Sequence, residues 1–218
     1  MNMKKQYILL LVIALSASSI HVSAQSFNAG LMAGATISQV DGDNYAGYHQ
    51  LGWTAGAYVS LPVAEHFAAQ AELRYSLFGA HSSVKEVTEY YYNPFNLRLH
   101  YVEIPLMLRY DFGHFTVYGK SLDFISLEAG ASIDLRMKAT EDVDGDYQVT
   151  TNRWKFFSMT GNVGVHFALT DHIGFGVRWM YSVVPIRFNG ASSSLFFGHY
   201  YNKVWQAAIT YNFNSPLR

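Results

Sequence analysis

From Phe27 onward, apolar and polar residues alternate with a period of two, most clearly over residues 98–112. Val102, Ile104, Leu106, Leu108, Tyr110 and Phe112 lie on one side there, and Tyr101, Glu103, Met107, Arg109 and Asp111 on the other. Period two makes a strand with two chemically different faces. The same pattern predicts eight strands, over residues 27–38, 51–61, 67–79, 98–112, 124–138, 156–169, 173–183 and 201–213. Each is long enough for the roughly 9–11 tilted residues that cross a bilayer.

The connections alternate in length. Residues 62–66 and 170–172 make short turns, whereas 40–50, 79–97, 139–155 and 184–200 are long and polar. Residues 113–123 are intermediate, and Phe115, Val117 and Tyr118 could add strand residues there. Short turns at one end and long loops at the other are the pattern of an outer-membrane barrel. Alternation would also suit a soluble sandwich, so the chemistry of the faces has to decide. The polar face is mostly Gly, Ser, Thr, Asn and Gln, not the Lys and Glu that meet water, and the middle of each apolar face carries no charge. Aromatics gather toward strand ends at Tyr75, Tyr110, Phe112, Phe167, Tyr181, Tyr211 and Phe213, as interfacial girdles do. The expected fold is therefore all-β, an eight-stranded antiparallel transmembrane up-and-down β-barrel.

An apolar side in lipid turns the polar side inward, where charges are costly unless paired. Glu72, Arg74, Glu103, Arg109, Glu128, Asp134, Arg136 and Arg178 are expected to form a polar network that fills the lumen and leaves little room for conduction. Pro105 removes a ladder hydrogen bond from a strand interior; a bulge or local bend is expected there, with the ring toward the lumen. Leu106→Arg is expected to abolish assembly, with Met107→Arg better tolerated.

Composition narrows the picture further. Aromatics make up 16% of the 218 residues and charged residues only 14%, against about 25% charged in an ordinary soluble domain. With no cysteine, disulfides, thiolate metal sites, a cysteine nucleophile and lipid attachment at an N-terminal cysteine are excluded. The net charge of -1 has no basic cluster behind it, so nucleic acid is not an expected partner. Lys4 and Lys5, an apolar run over residues 7–15 and Val22-Ser23-Ala24 form a secretory leader, cut after Ala24. The domains are then a signal peptide, 1–24, and a barrel, 25–218.

Several stretches together resemble the PorT-like family of outer-membrane β-barrel proteins of Bacteroides-type bacteria. They are residues 30–43, with Gly30-x-x-x-Gly34 and the Asp41-Gly42-Asp43-Asn44-Tyr45 ending, and residues 51–62, which open Leu51-Gly52-Trp53. Residues 70–76, the Tyr101-Val102-Glu103-Ile104-Pro105-Leu106 run and Leu127-Glu128-Ala129-Gly130 complete the set. The resemblance implies an eight-stranded barrel, usually without an assigned activity, and for some relatives a link to protein secretion across the outer membrane. Residues 113–123 depart from it, being longer than the family's usual turn.

Other candidate chemistry is sparse. Asp41-Gly42-Asp43-Asn44 and Asp142-Val143-Asp144-Gly145-Asp146 cluster carboxylates on loops, where calcium could bind, but Asp-Gly turn chemistry accounts for them as well. His81 and Ser83, near Glu86 and Glu89, would share the lipid-facing side if their strand continued, as the base and nucleophile of a lipid-cleaving enzyme would need. His49, His100 and His199 fit no zinc spacing and read as solvated loop or rim residues. Tyr90-Tyr91-Tyr92 and Leu195-Phe196-Phe197 are loop aromatics that either pack over the mouth or meet a partner. The expected function is a non-enzymatic scaffold or binding platform without a cofactor. It would contact membrane lipid through the barrel and a protein or glycan through its long loops. A secretion accessory and a lipid-modifying hydrolase are the alternatives.

Overall fold

The structure is a computed structural model that describes residues 27–43, 47–83, 87, 94–113, 115–117, 120–143, 145–188 and 199–214. Eight long strands carry the alternation: β1 Asn28–Asp41, β2 Gln50–Ala64, β3 Phe67–His81, β4 Phe95–Asp111, β7 Ile125–Val143, β9 Phe157–Ala168, β10 Ile173–Ser182 and β11 Tyr201–Asn212. Each pairs antiparallel with its sequence neighbour among these eight, and β1 with β11 closes the ring. Closure leaves no sheet edge, so the backbone polar groups are satisfied by the ladder itself. Following paired residues from Ser76 of β3 through Thr54, Gly34, Ala208, Gly176, His166, Ser126 and Asp111 returns to His66, the residue just before β3. That stagger of ten residues tilts the strands by roughly 35–45° and leaves an interior just wide enough for side chains.

Burial follows the alternation. On β4, Leu106 is 61% exposed while Glu103, on the other face, is fully buried. Leu31, Leu51, Leu73, Leu127, Val163 and Ile209 also point outward, so the outer wall is a continuous apolar band. Aromatic contacts bound it on both sides. At the turn end, Phe67, Tyr110 and Phe112 are in ring contact, as are Tyr211, Phe213 and His172. At the loop end, Trp53, Tyr75 and His100 form one group and Trp179, Tyr181 and Tyr201 another. From Tyr110 to His100 the tilted strand rises roughly 25 Å, the height of a barrel's apolar band.

Four details differ from the sequence-based expectation. β2 runs on to Ala64, so the first turn shrinks to Glu65 and His66. Within residues 113–123, β5 (Thr116–Val117) pairs with β6 (Lys120–Ser121) as a small hairpin of its own, not as an extension of the fifth strand. Residues 139–155 are not simply a loop: β7 continues to Val143 and pairs with β8 (Asp146–Val149). Pro105 is buried toward the lumen but marks no bulge. The β4–β7 register shifts instead between His100 and Tyr101, leaving Met137 as the extra residue. At Pro105 and Ile104 the ladder to β3 simply lacks partners while that to β7 runs through, because proline lacks the N–H that one side needs.

Candidate functional site

The inward side chains change character along the barrel axis. The middle is a chain of ion pairs running Arg109, Glu128, Arg178, Glu72, Arg74, Glu103. Its N···O distances in that order are 2.6, 2.7, 2.6, 3.3 and 2.9 Å. Neutral side chains satisfy most of the remaining valences: Gln206 and Asn162 accept from Arg74, Gln70 donates to Glu72, and Ser76 donates to Glu103. Three cations against three carboxylates, each hydrogen-bonded, is an arrangement that tolerates burial. Gly56 and Gly164 make room for it, since a Cβ at either would lie 2.6 Å from Arg74 or 2.7 Å from Arg178.

Two of the eight expected network residues stand apart. Asp134 accepts hydrogen bonds from Ser132 and Thr160 instead of meeting an arginine. Arg136 turns toward the loop end and donates to the carbonyls of Lys155 and Trp154. Met107 is buried in a packed part of the lumen against Gly130, so an arginine there would meet crowding as well as three existing cations. That removes the expected tolerance of Met107→Arg.

Above the ion pairs lies a layer that the sequence reading missed. Val40, Phe78, Ala80, Leu97, Leu99, Tyr101, Ala139, Trp154, Met180, Ile186 and Val204 form a buried apolar plug across the loop end of the barrel. The signal was present, because the inward side of β3 changes from Glu72, Arg74 and Ser76 to Phe78 and Ala80 within one strand. Among the described residues, ion pairs and hydrocarbon occupy the lumen in turn from its middle to its loop end. Purified protein in planar bilayers is therefore expected to give no stepwise conductance, and resolved current steps would contradict this layering.

Against the plug, the ends of β4 and β7 and the adjoining loops enclose a cavity of about 180 Å³ lined by Asp43, Phe95, Leu97, Glu141, Trp154, Arg187 and Tyr200. The Arg187 guanidinium carbon lies 5.3 Å from the Trp154 ring and 5.2 Å from that of Tyr200, within the range of cation–π attraction. Glu141 accepts from the Trp154 indole at 2.8 Å and pairs with Arg153 at 3.4 Å. Arg187 and Tyr200 are bridged strand-like, and Lys155 Nζ sits 3.4 Å over the Phe188 ring. Burial lowers the Lys155 pKa from its ordinary value. Carboxylates, a guanidinium and two aromatic rings set edge-on, Trp154 and Tyr200, around one small opening suit a polar ligand that also offers a flat or apolar face.

The remaining candidates fall elsewhere. Asp41 is held by Gln39 and lies 3.7 Å from Lys203, Asp146 accepts from Gln148, and Gly42 and Gly145 have φ of +95° and +83°, the conformation of Asp-Gly turns. Among the described residues no three His, Asp or Glu gather as a metal set. β3 ends at His81, so the alternation that would give His81 and Ser83 a common side does not reach Ser83. His199 is no solvated residue: it is 5% exposed and packs edge-on to Phe188. His100 sits at the rim, bonded to the Tyr75 hydroxyl at 2.9 Å, and His49 is exposed. Residues 1–24, Asn44, Glu86, Glu89, Tyr90-Tyr91-Tyr92, Tyr118, Asp144 and Leu195-Phe196-Phe197 lie outside the described residues.

The chain is similar to several solved structures at low identity. Ail, the attachment invasion locus protein of Yersinia pestis, is 14% identical, covering 85% of this chain and 98% of its own with a TM-score of 0.49. Neisserial surface protein A is 12% identical, covering 86% and 97% with a TM-score of 0.47. The outer membrane enzyme PagL is 12% identical, covering 87% and 99% with a TM-score of 0.38. No curated protein sequence matches the chain. Residues 23–187 match the outer membrane protein beta-barrel domain family, and the chain, an eight-stranded barrel with an apolar outer wall, belongs to that family of the outer membrane.

Proposed function

We propose that this barrel is a non-enzymatic binding platform whose loop-end face engages a protein or surface glycan. One observation carries the reading: among the described residues, ion pairs and the apolar plug fill the lumen, while Asp43, Glu141, Trp154, Arg187 and Tyr200 line a polar and aromatic cavity beside the plug at the loop end. A filled barrel leaves its loop-end surface as the part available for recognition, and grooves that combine aromatic rings with a few placed polar groups are typical of binding sites. The PorT-like branch is part of the proposal, supported by the Glu103-Ile104-Pro105 run and the Asp41-Gly42-Asp43 ending.

The test is a deletion strain complemented with wild type or with Asp43→Asn/Arg187→Gln. Binding of whole cells to a panel of surface glycans is expected to drop with the double variant while the barrel remains folded. Cargo retained in the periplasm would favour the secretion role instead, and a shift in outer-membrane lipid mass that needs Ser83 would favour the hydrolase. Export by the leader belongs to the same reading: the membrane-extracted chain is expected to begin at Gln25, and an intact mass that retains residues 1–24 would remove this part.

A further inference from the structure

The outer wall is uncharged until the loop-end rim, where β4 and β7 depart from that rule. Arg98 and His100 lie on the outward side of β4, and His100 pairs directly with Lys138 of β7. By strict alternation Lys138 would follow Asp134 and Arg136 into the lumen. The bulge at Met137 reverses the phase, so that Met137 and Lys138 are both exposed and Ala139 takes the buried position. Bulges characteristically re-aim a side chain in this way.

None of Arg98, His100 and Lys138 takes part in an ion pair among the described residues. Along the ladder from Lys138, Glu141 opposite Leu97 is buried on the inward side, and Asp142 opposite Asn96 lies beyond Arg98. Elsewhere on the rim a cation is matched, as Lys203 is by Asp41 at 3.7 Å. The basic group sits on the aromatic belt: the Tyr75 hydroxyl holds His100 Nδ1 at 2.9 Å, and Trp53 stacks near Tyr75 at 5.4 Å. Directly below it on the same face run Val102, Ile104, Leu106 and Leu108, a track for acyl chains.

We propose that Arg98, His100 and Lys138 bind the phosphate headgroup of a membrane lipid, whose acyl chains lie along the β4 apolar face. Arg supplies a forked donor set, Lys a point charge, and the aromatic belt fixes the depth at which a headgroup sits. The lipid is an anionic phosphomonoester; a zwitterionic one lacks the net charge to offset Arg98 and Lys138, with His100 as a further hydrogen-bonding group.

The experiment uses the full barrel in nanodiscs of phosphatidylcholine containing a small fraction of phosphatidic acid, with retained lipid read by native mass spectrometry. Wild type is expected to retain phosphatidic acid over phosphatidylcholine. Arg98→Gln/Lys138→Gln should reduce that preference on the order of tenfold, since each basic side chain near a membrane surface adds several-fold affinity for anionic lipid. Lys203→Gln, at the paired rim site, should leave it unchanged. Lys138→Gln alone serves where the double variant does not fold. Equal retention of the two lipids by wild type, or a preference that survives the variants, overturns the proposal. Loss of preference on adding millimolar inorganic phosphate at constant ionic strength, with phosphate itself bound, overturns the lipid assignment in favour of a soluble phosphate site.

Discussion

Leu106→Arg is expected to weaken folding into the bilayer severely, whereas Met107→Gln, one residue on, should fold nearly as wild type. Leu106 lies near the middle of the outward β4 face and is 61% exposed to the outside, so an arginine there enters hydrocarbon. At the midplane that costs about 2–4 kcal/mol, a large part of the roughly 5–15 kcal/mol by which a fold is stable. Met107 points the opposite way and pairs with Gln70 of β3, whose Oε1 has no hydrogen-bond partner among the described residues. A glutamine at 107 keeps nearly the same volume and offers that oxygen an amide donor, so its net effect should stay within about 1 kcal/mol. Urea titration of refolding into vesicles, with the heat-sensitive gel mobility of folded barrels as readout, measures both. Equal losses would mean that the two faces have been assigned the wrong way round.

Glu72→Leu should destabilise the barrel by about 3–5 kcal/mol, the usual consequence of leaving a buried charge without its partner. Glu72 joins the two halves of the ion-pair chain, touching Arg178 at 2.6 Å and Arg74 at 3.3 Å. Its removal leaves three buried arginines against two carboxylates. The double variant Glu72→Leu/Arg178→Met should recover much of the loss. It deletes the central pair and leaves Arg109 with Glu128 and Arg74 with Glu103, each still balanced. A double-mutant cycle on refolding stability gives the coupling directly. If the two single losses simply added, the chain of pairs would not act as a unit.

The limits of the alternation are instructive. Leu106 and Glu103 differ in side because side-chain direction in a strand reverses at every residue, and lipid and lumen demand opposite chemistry. That much is local, so the eight strands and their faces could be read from composition and period. Lys138 could not be placed this way, because one extra residue at Met137 inverts every position after it, and the bulge depends on how β7 meets β4. His199 looked like a solvated loop histidine since nothing local indicates that the chain folds it against Phe188. Asp134 and Arg136 have the charge expected of network members, but their partners are set by height and neighbouring strands, which period two does not encode.

Sequence alone therefore determined that this chain forms eight amphipathic strands with hydrocarbon on one side, joined by short turns and long loops, because each of those features is a near-neighbour property. Only the closed ring decided which charges meet, where the lumen changes from ion pairs to the Phe78, Leu99 and Met180 plug, and how Trp154, Arg187 and Tyr200 come to share one opening. Those contacts join residues far apart in the chain, and the stagger of the barrel sets their relative heights.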